Sequence, residues 1–213
     1  MTILKFSNGY WLSKKEFSQH HATQVYEIEN RGDSLEILAP CKKISHRGDT
    51  LEGPVITVRL SSPAPGAIRV RAYHYKGGPD KGPNFEINEA PGFKPEIAEN
   101  ESGFLLKSEN LSVRIPKSGG FRMDFFDGGK KITSSGWRGL SYIQGDDGSV
   151  YMKDRLDIGV GECVYGLGER FTPFVKNGQS VDIWNADGGT IKKDGGMIKV
   201  IPSRVTGKIV LHC

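Results

Sequence analysis
The chain has 213 residues, of which 37% are hydrophobic and 25% charged, an ordinary globular composition with length for one large domain or two small ones. Its net charge is only +4, and the basic residues fall in pairs such as Lys14-Lys15, Lys42-Lys43 and Lys130-Lys131; with no basic run of five or more, nucleic acid is not expected as a partner. No stretch of about eighteen apolar residues offers a membrane helix, and the N-terminus MTILKFSNGYWLSKK lacks the apolar centre of a signal peptide, so a cytoplasmic protein with no membrane partner is expected.

In chain order, Asn8-Gly9 is the first turn signal. Leu35, Ile37 and Ala39 then recur at every second position, as do Ile68, Val70 and Ala72 against Arg69 and Arg71. This period of two is the mark of half-buried strands. Gly77-Gly78 opens a Gly- and Pro-rich stretch to Glu96, read as a long surface excursion. Alternation resumes at Leu111, Val113 and Ile115 against Ser112 and Arg114, and at Phe121, Met123 and Phe125 against Arg122 and Asp124. Asp127-Gly128-Gly129, set between FRMDFF and KKIT, predicts a hairpin, because glycine accepts the positive φ of primed turns. Asp147-Gly148 marks another turn. No segment longer than about ten residues carries helical spacing, and 28 glycines with 11 prolines interrupt the chain too often for long helices. The class is all-β. Short strands, frequent turns and no βαβ alternation point to an antiparallel β-sandwich, with a barrel as the alternative. There is no internal repeat.

The three cysteines, Cys41, Cys163 and Cys213, are odd in number and lack metal-ligand or disulfide spacing, which fits a reducing compartment. Asn100-Glu101-Ser102 and Asn110-Leu111-Ser112 match the glycosylation pattern, which carries no meaning without secretion. Gly159, Gly161, Gly166 and Gly168 hint at a phosphate loop. However, GVGECV has valine where the dinucleotide fingerprint needs its third glycine, and no helix follows, so tight turns explain them better. Glu162, Glu169 and Arg170 read as structural ion pairs in preference to acid–base groups. His20, His21, His46, His74 and His212 lack a second ligand at usable spacing. With no G-x-S-x-G elbow either, no catalytic residue, metal site or cofactor is expected in this chain. The segment IWNADGGT, from Ile183 to Thr190, leaves two readings open: a capped turn with Trp184 in the core, or an aromatic face beside Asn185 and Asp187 that suits a sugar.

Several stretches taken together closely resemble the N-terminal domain of family 31 glycoside hydrolases, the α-xylosidases in particular. They are RLDIGVGE (155–162), VYGLGERF (164–171), NGQSV (177–181) and WNADGGT (184–190), with SNGYWL (7–12) and NLSVR (110–114). The resemblance implies a galactose-mutarotase-like supersandwich over residues 1–190, standing before a catalytic (β/α)8 barrel. In such enzymes a loop of the sandwich reaches the barrel's mouth, and the aspartate of its W-N-x-D stretch, here Asp187, lines the sugar pocket. Trp184 and Asn185 match the same stretch, either touching sugar or holding the loop. The implied substrate is an α-linked xyloside or glucoside oligosaccharide. Both catalytic aspartates of the family lie on the barrel, so this chain alone is expected to be inactive. Residues 191–213 depart from the family's continuation, with only Lys199-Val200-Ile201-Pro202 as a faint echo, which points to a frame change or truncation. A free-standing carbohydrate-binding module and a non-functional fragment are the alternatives.

Overall fold
The computed structural model describes residues 6–8, 12–74, 89–90, 92–166 and 171–178. Within them the alternating segments become β1 (Ser7–Asn8), β2 (Leu12–Ser13), β3 (Phe17–His21), β4 (Glu27–Asn30), β5 (Ser34–Pro40), β6 (Val55–Ser61) and β7 (Arg69–Tyr73). Then come β8 (Glu96–Glu99), β9 (Gly103–Ser108), β10 (Leu111–Pro116), β11 (Met123–Asp127), β12 (Lys130–Ser135), β13 (Ser141–Gly145) and β14 (Val150–Lys153). All pairings are antiparallel. They build a four-stranded sheet ordered β4-β5-β6-β7, a five-stranded sheet ordered β12-β11-β10-β9-β8, a three-stranded sheet ordered β14-β13-β3 and the short β1-β2 ribbon.

The core follows from register. In the four-stranded sheet Leu35 lies opposite Leu60, Ile37 opposite Val58 and Ala39 opposite Ile56, and all six are fully buried. In the five-stranded sheet Val113 stands between Leu106 and Phe125. These two apolar faces share one cluster, completed by Ala22, Ile68, Phe121 and Leu140. Two open sheets pressed over a common core make a sandwich, and the barrel alternative falls away.

The Asp127-Gly128-Gly129 hairpin is present, with Asp127 paired to Lys130 and φ of 55° and 82° at the two glycines. Three local features differ from the pattern expected of the sequence. Phe121 is buried but precedes its strand, because Gly119 and Gly120, at φ 91° and 100°, turn the chain so that Phe121 N donates to Thr23 O at 3.0 Å. The hairpin between β9 and β10 turns at Glu109, φ 54°, without a glycine. A 3-10 turn over Arg47–Leu51 is capped by His46, whose Nδ1 accepts from Gly48 N, while Asp49 accepts from the Ser45 and His46 amides. Gly77-Gly78 and most of the excursion after them lie outside the described residues.

The third sheet brings an early strand to the last two. Strand β3, near the start, pairs with β13, so that His21 lies opposite Ser141 and Tyr142 opposite His20. Phe6, Phe17 and Tyr151 meet edge to face at centroid distances of 5.1, 5.2 and 6.4 Å, anchoring this sheet to the N-terminal segment.

Candidate functional site
Beyond β14 the chain first stays tied to the sandwich. Leu156 packs on the core, Asp157 N donates to Ser134 O at 2.9 Å, and Thr133 Oγ1 donates to Asp157 O at 2.8 Å. Gly159 N then donates to Glu162 Oε2 at 2.7 Å, and Gly161 adopts φ 81°. Glu162 is therefore a turn cap, in place of the ion-pair member expected from the sequence. Asn177 clamps the next stretch of chain: its Oδ1 accepts from Val164 N at 2.7 Å and its Nδ2 donates to Glu162 O at 2.9 Å. Lys176, only 7% exposed, donates to Thr172 Oγ1 and to Pro173 O. Over its described residues, which include Gly159, Gly161 and Gly166, the glycine-rich stretch is a set of braced turns, as expected of these glycines. Sequence reasoning missed the brace, whose one local signal is the Asn177-Gly178 pair.

This braced segment presents apolar side chains to solvent. Ile158, Val160, Tyr165, Phe171 and Phe174 are all exposed, Phe171 and Phe174 at 79% each, and the rings of Tyr165 and Phe174 meet at 5.1 Å. Isolated exposed apolar residues are ordinary, and this segment gathers these five. Trp184, Asn185 and Asp187, later in the chain, lie outside the described residues, as do Gly168, Glu169 and Arg170.

Surface hollows elsewhere hold carboxylates, but with committed partners. In one of about 390 Å³, Asp33 faces Arg59 at 3.8 Å and Glu89 faces Arg69 at 2.5 Å. In another of about 140 Å³, Asp49 and Glu52 both reach Lys42. The Ser34 hydroxyl holds the Asp33 carboxyl below its ordinary pKa, and the Ser45 and His46 amides do the same for Asp49. These two carboxyls are shifted opposite to what a proton-donating acid needs, and Glu52 and Glu89 in the same hollows each have a cation beside them. Among the described residues there is no cluster of three or more His, Cys, Asp or Glu arranged for a metal, and no helix long and apolar enough to cross a membrane.

A third hollow, of about 360 Å³, lies where β3, the Gly119–Arg122 turn and the Trp137–Arg138 turn converge. His21 Nδ1 lies 2.7 Å from Ser141 Oγ on its wall. Burial first, and then the charges of Lys153, Arg138 and Arg155, lower the His21 pKa from 6.5 to about 4. The unfolded chain takes up this proton near pH 6.5 and the folded one resists it until about pH 4. The His21 contribution is therefore complete above pH 6.5 and is lost as pH falls through that window. After allowance for solvent screening at this half-buried ring, the expected loss is about 1 kcal/mol. Urea midpoints at pH 7 and pH 4.5 check it: the drop should be smaller by that amount in His21→Gln, and an equal drop in both proteins would refute it.

Among its described residues the chain is an all-β antiparallel sandwich followed by a braced segment that exposes apolar side chains. The chain belongs to the family described as the glycosyl hydrolase 31 N-terminal galactose mutarotase-like domain, whose model matches residues 57–206. That match runs past Thr190. Among curated relatives, the chain is similar to the α-xylosidase XylQ of Lactiplantibacillus pentosus, 39% identical over 190 residues. It is also similar to an α-xylosidase of Emericella nidulans, 36% identical over 207 residues. Each alignment covers 88% of this chain but only 24% and 26% of the relatives, so the chain spans about a quarter of their length. Among solved structures, the cycloalternan-forming enzyme of Listeria monocytogenes in complex with a pentasaccharide substrate superposes with a TM-score of 0.55 at 17% identity, covering 81% of this chain and 15% of that one. A Flavobacterium johnsoniae GH31 dextranase complexed with glucose gives 0.52 at 15% identity, over 75% of this chain and 18% of that one. These two likenesses establish the shared fold.

Proposed function
We propose that residues 1–190 serve as the N-terminal sandwich of an α-xylosidase-like retaining glycosidase, packed against a (β/α)8 barrel and supplying one wall of its sugar pocket. The observation that carries this reading is the exposed apolar run of Ile158, Val160, Tyr165, Phe171 and Phe174 on a braced segment, which leads directly into WNADGGT. Leaving such a run in water is unfavourable, and a packed neighbour removes the cost. Held beside that neighbour, the Trp184–Thr190 loop brings Asp187 to the substrate, an α-linked xyloside or glucoside, with Trp184 and Asn185 shaping the loop.

In this reading the two carboxyl groups of retaining chemistry, which stand about 5 Å apart across the anomeric centre, belong to the barrel. The purified 213-residue chain is therefore expected to leave an aryl α-xyloside at its uncatalysed rate. Turnover that disappears when a carboxylate within residues 1–190 is replaced would overturn the proposal.

A further inference from the structure
Three cations gather at the hollow by the Trp137–Arg138 turn: Arg138 lines it, and Lys153 and Arg155 lie close enough to act on His21 in its wall, while Arg122, also in the lining, is paired with Asp124 at 2.7 Å. Among the described residues, no carboxylate lies within ion-pairing distance of Arg138, Lys153 or Arg155. Asp154 is adjacent in sequence but is occupied by Ser135 Oγ and the Arg155 amide. Arg155 spends one guanidinium nitrogen on Trp137 O at 2.6 Å, and Lys153 donates to Gln19 Oε1 at 2.9 Å, so both charges are fixed in place without being neutralised. Lys153 is half-buried, and burial, then Arg155 and Arg138, hold its pKa below the ordinary lysine value. Like charges gathered at one corner repel one another, an arrangement that an anion relieves.

The turn itself is built for presentation. Arg138 takes φ 55°, a left-handed conformation uncommon outside glycine. Its guanidinium carbon lies 4.6 Å from the Trp137 ring centroid. Gly139 N donates to Gly136 O at 2.9 Å and closes the turn. Trp137 remains 75% exposed, a flat ring at the lip of the hollow. A volume of about 360 Å³ lies within the range of small-ligand sites. We propose that this hollow is an anion subsite for a sugar bearing a carboxylate or phosphate, with the Arg138 guanidinium engaging the oxyanion and the Trp137 ring the sugar's C–H face. The pairing follows from chemistry: guanidinium presents a planar fork of donors to oxyanions, and an exposed indole gives an apolar plane for a pyranose. This inference does not depend on the barrel.

Titrating the 213-residue chain with glucuronate, glucose 6-phosphate, inorganic phosphate and neutral xylose, monitored by thermal shift and by NMR of the Trp137 indole and His21 ring, tests it. Glucuronate or glucose 6-phosphate should bind at least tenfold more tightly than xylose, the preferred one telling carboxylate from phosphate, and should move the His21 titration upward. Arg138→Gly keeps the backbone, because glycine accepts φ 55°, and should weaken binding at least tenfold. Trp137→Ala should remove the advantage of the sugar-bearing anion over inorganic phosphate. Arg69→Ala, in the carboxylate-paired hollow, should change nothing. Equal binding of xylose and glucuronate, no advantage over inorganic phosphate, or undiminished binding in Arg138→Gly would each overturn the proposal.

Discussion

Gly103→Ala is expected to destabilise the sandwich by about 3 kcal/mol, at the upper end for forcing extra atoms into a packed site. Gly103 begins β9 opposite Pro116 of β10. A methyl group there would overlap the Ile115 carbonyl oxygen and come within 3.0 Å of the Pro116 Cα. Both obstacles are backbone, so no side chain can swing aside and the ladder must open. Ile115, fully buried in the shared core, would be dragged with it. Gly136→Ala is the matched control: its added methyl meets nothing within 4 Å, and its φ is not in the left-handed region. That change should be neutral or stabilising by up to about 1 kcal/mol through lower entropy of the unfolded chain. Urea denaturation of both variants decides the matter, and similar midpoints would refute the packing argument.

The second large effect concerns Asp187. When residues 1–190 replace the matching region of the Lactiplantibacillus pentosus α-xylosidase, to which the chain is 39% identical, Asp187→Ala is expected to lower kcat/KM by about 10²-fold. This corresponds to roughly 2.7 kcal/mol, within the range for a hydrogen bond to a charged group. Asp187→Asn should recover part of the loss, since an amide still accepts a hydrogen bond but carries no charge. Trp184→Ala and Asn185→Ala separate contact from support: loss through KM alone indicates sugar binding, whereas loss accompanied by a lower melting temperature indicates loop support. An Asp187→Ala chimera with unchanged kcat/KM would remove this residue from the pocket.

Much of the sandwich was legible because burial and the strand period coincide. Leu35, Ile37 and Ala39 on one sheet, and Leu111, Val113 and Ile115 on the other, needed only alternation to be placed facing inward. Asp127-Gly128-Gly129 needed only turn chemistry. The hairpin at Glu109 was not legible, because its positive φ is imposed by the pairing of β9 with β10 and not by a residue that prefers it. The role of Glu162 was missed for a related reason: a carboxylate looks the same in sequence whether it meets a cation or the Gly159 amide three residues away. Nor could the charged hollow be seen. Its wall joins His21 to Arg138, far apart in the chain, and only the pairing of β3 with β13 brings them together. Trp184, Asn185 and Asp187 became candidate sugar residues through resemblance alone, since read by themselves they favour a capped turn.

That long-range pairing also sets an order of events during synthesis. His21 meets Ser141 across 120 residues, and Lys153 meets Gln19 across 134. Strands β4 to β7 and β8 to β12 pair only with their sequence neighbours, so each pair needs no chain beyond its own hairpin. Strand β3 has to wait for β13. Closing so long a loop costs only logarithmically more entropy than closing a short one, but it cannot begin until the late strand exists. Until β13 has been made, β3 is thus an edge without this partner, open to wrong pairing, and of the three larger sheets the three-stranded one is the one that a late strand must complete.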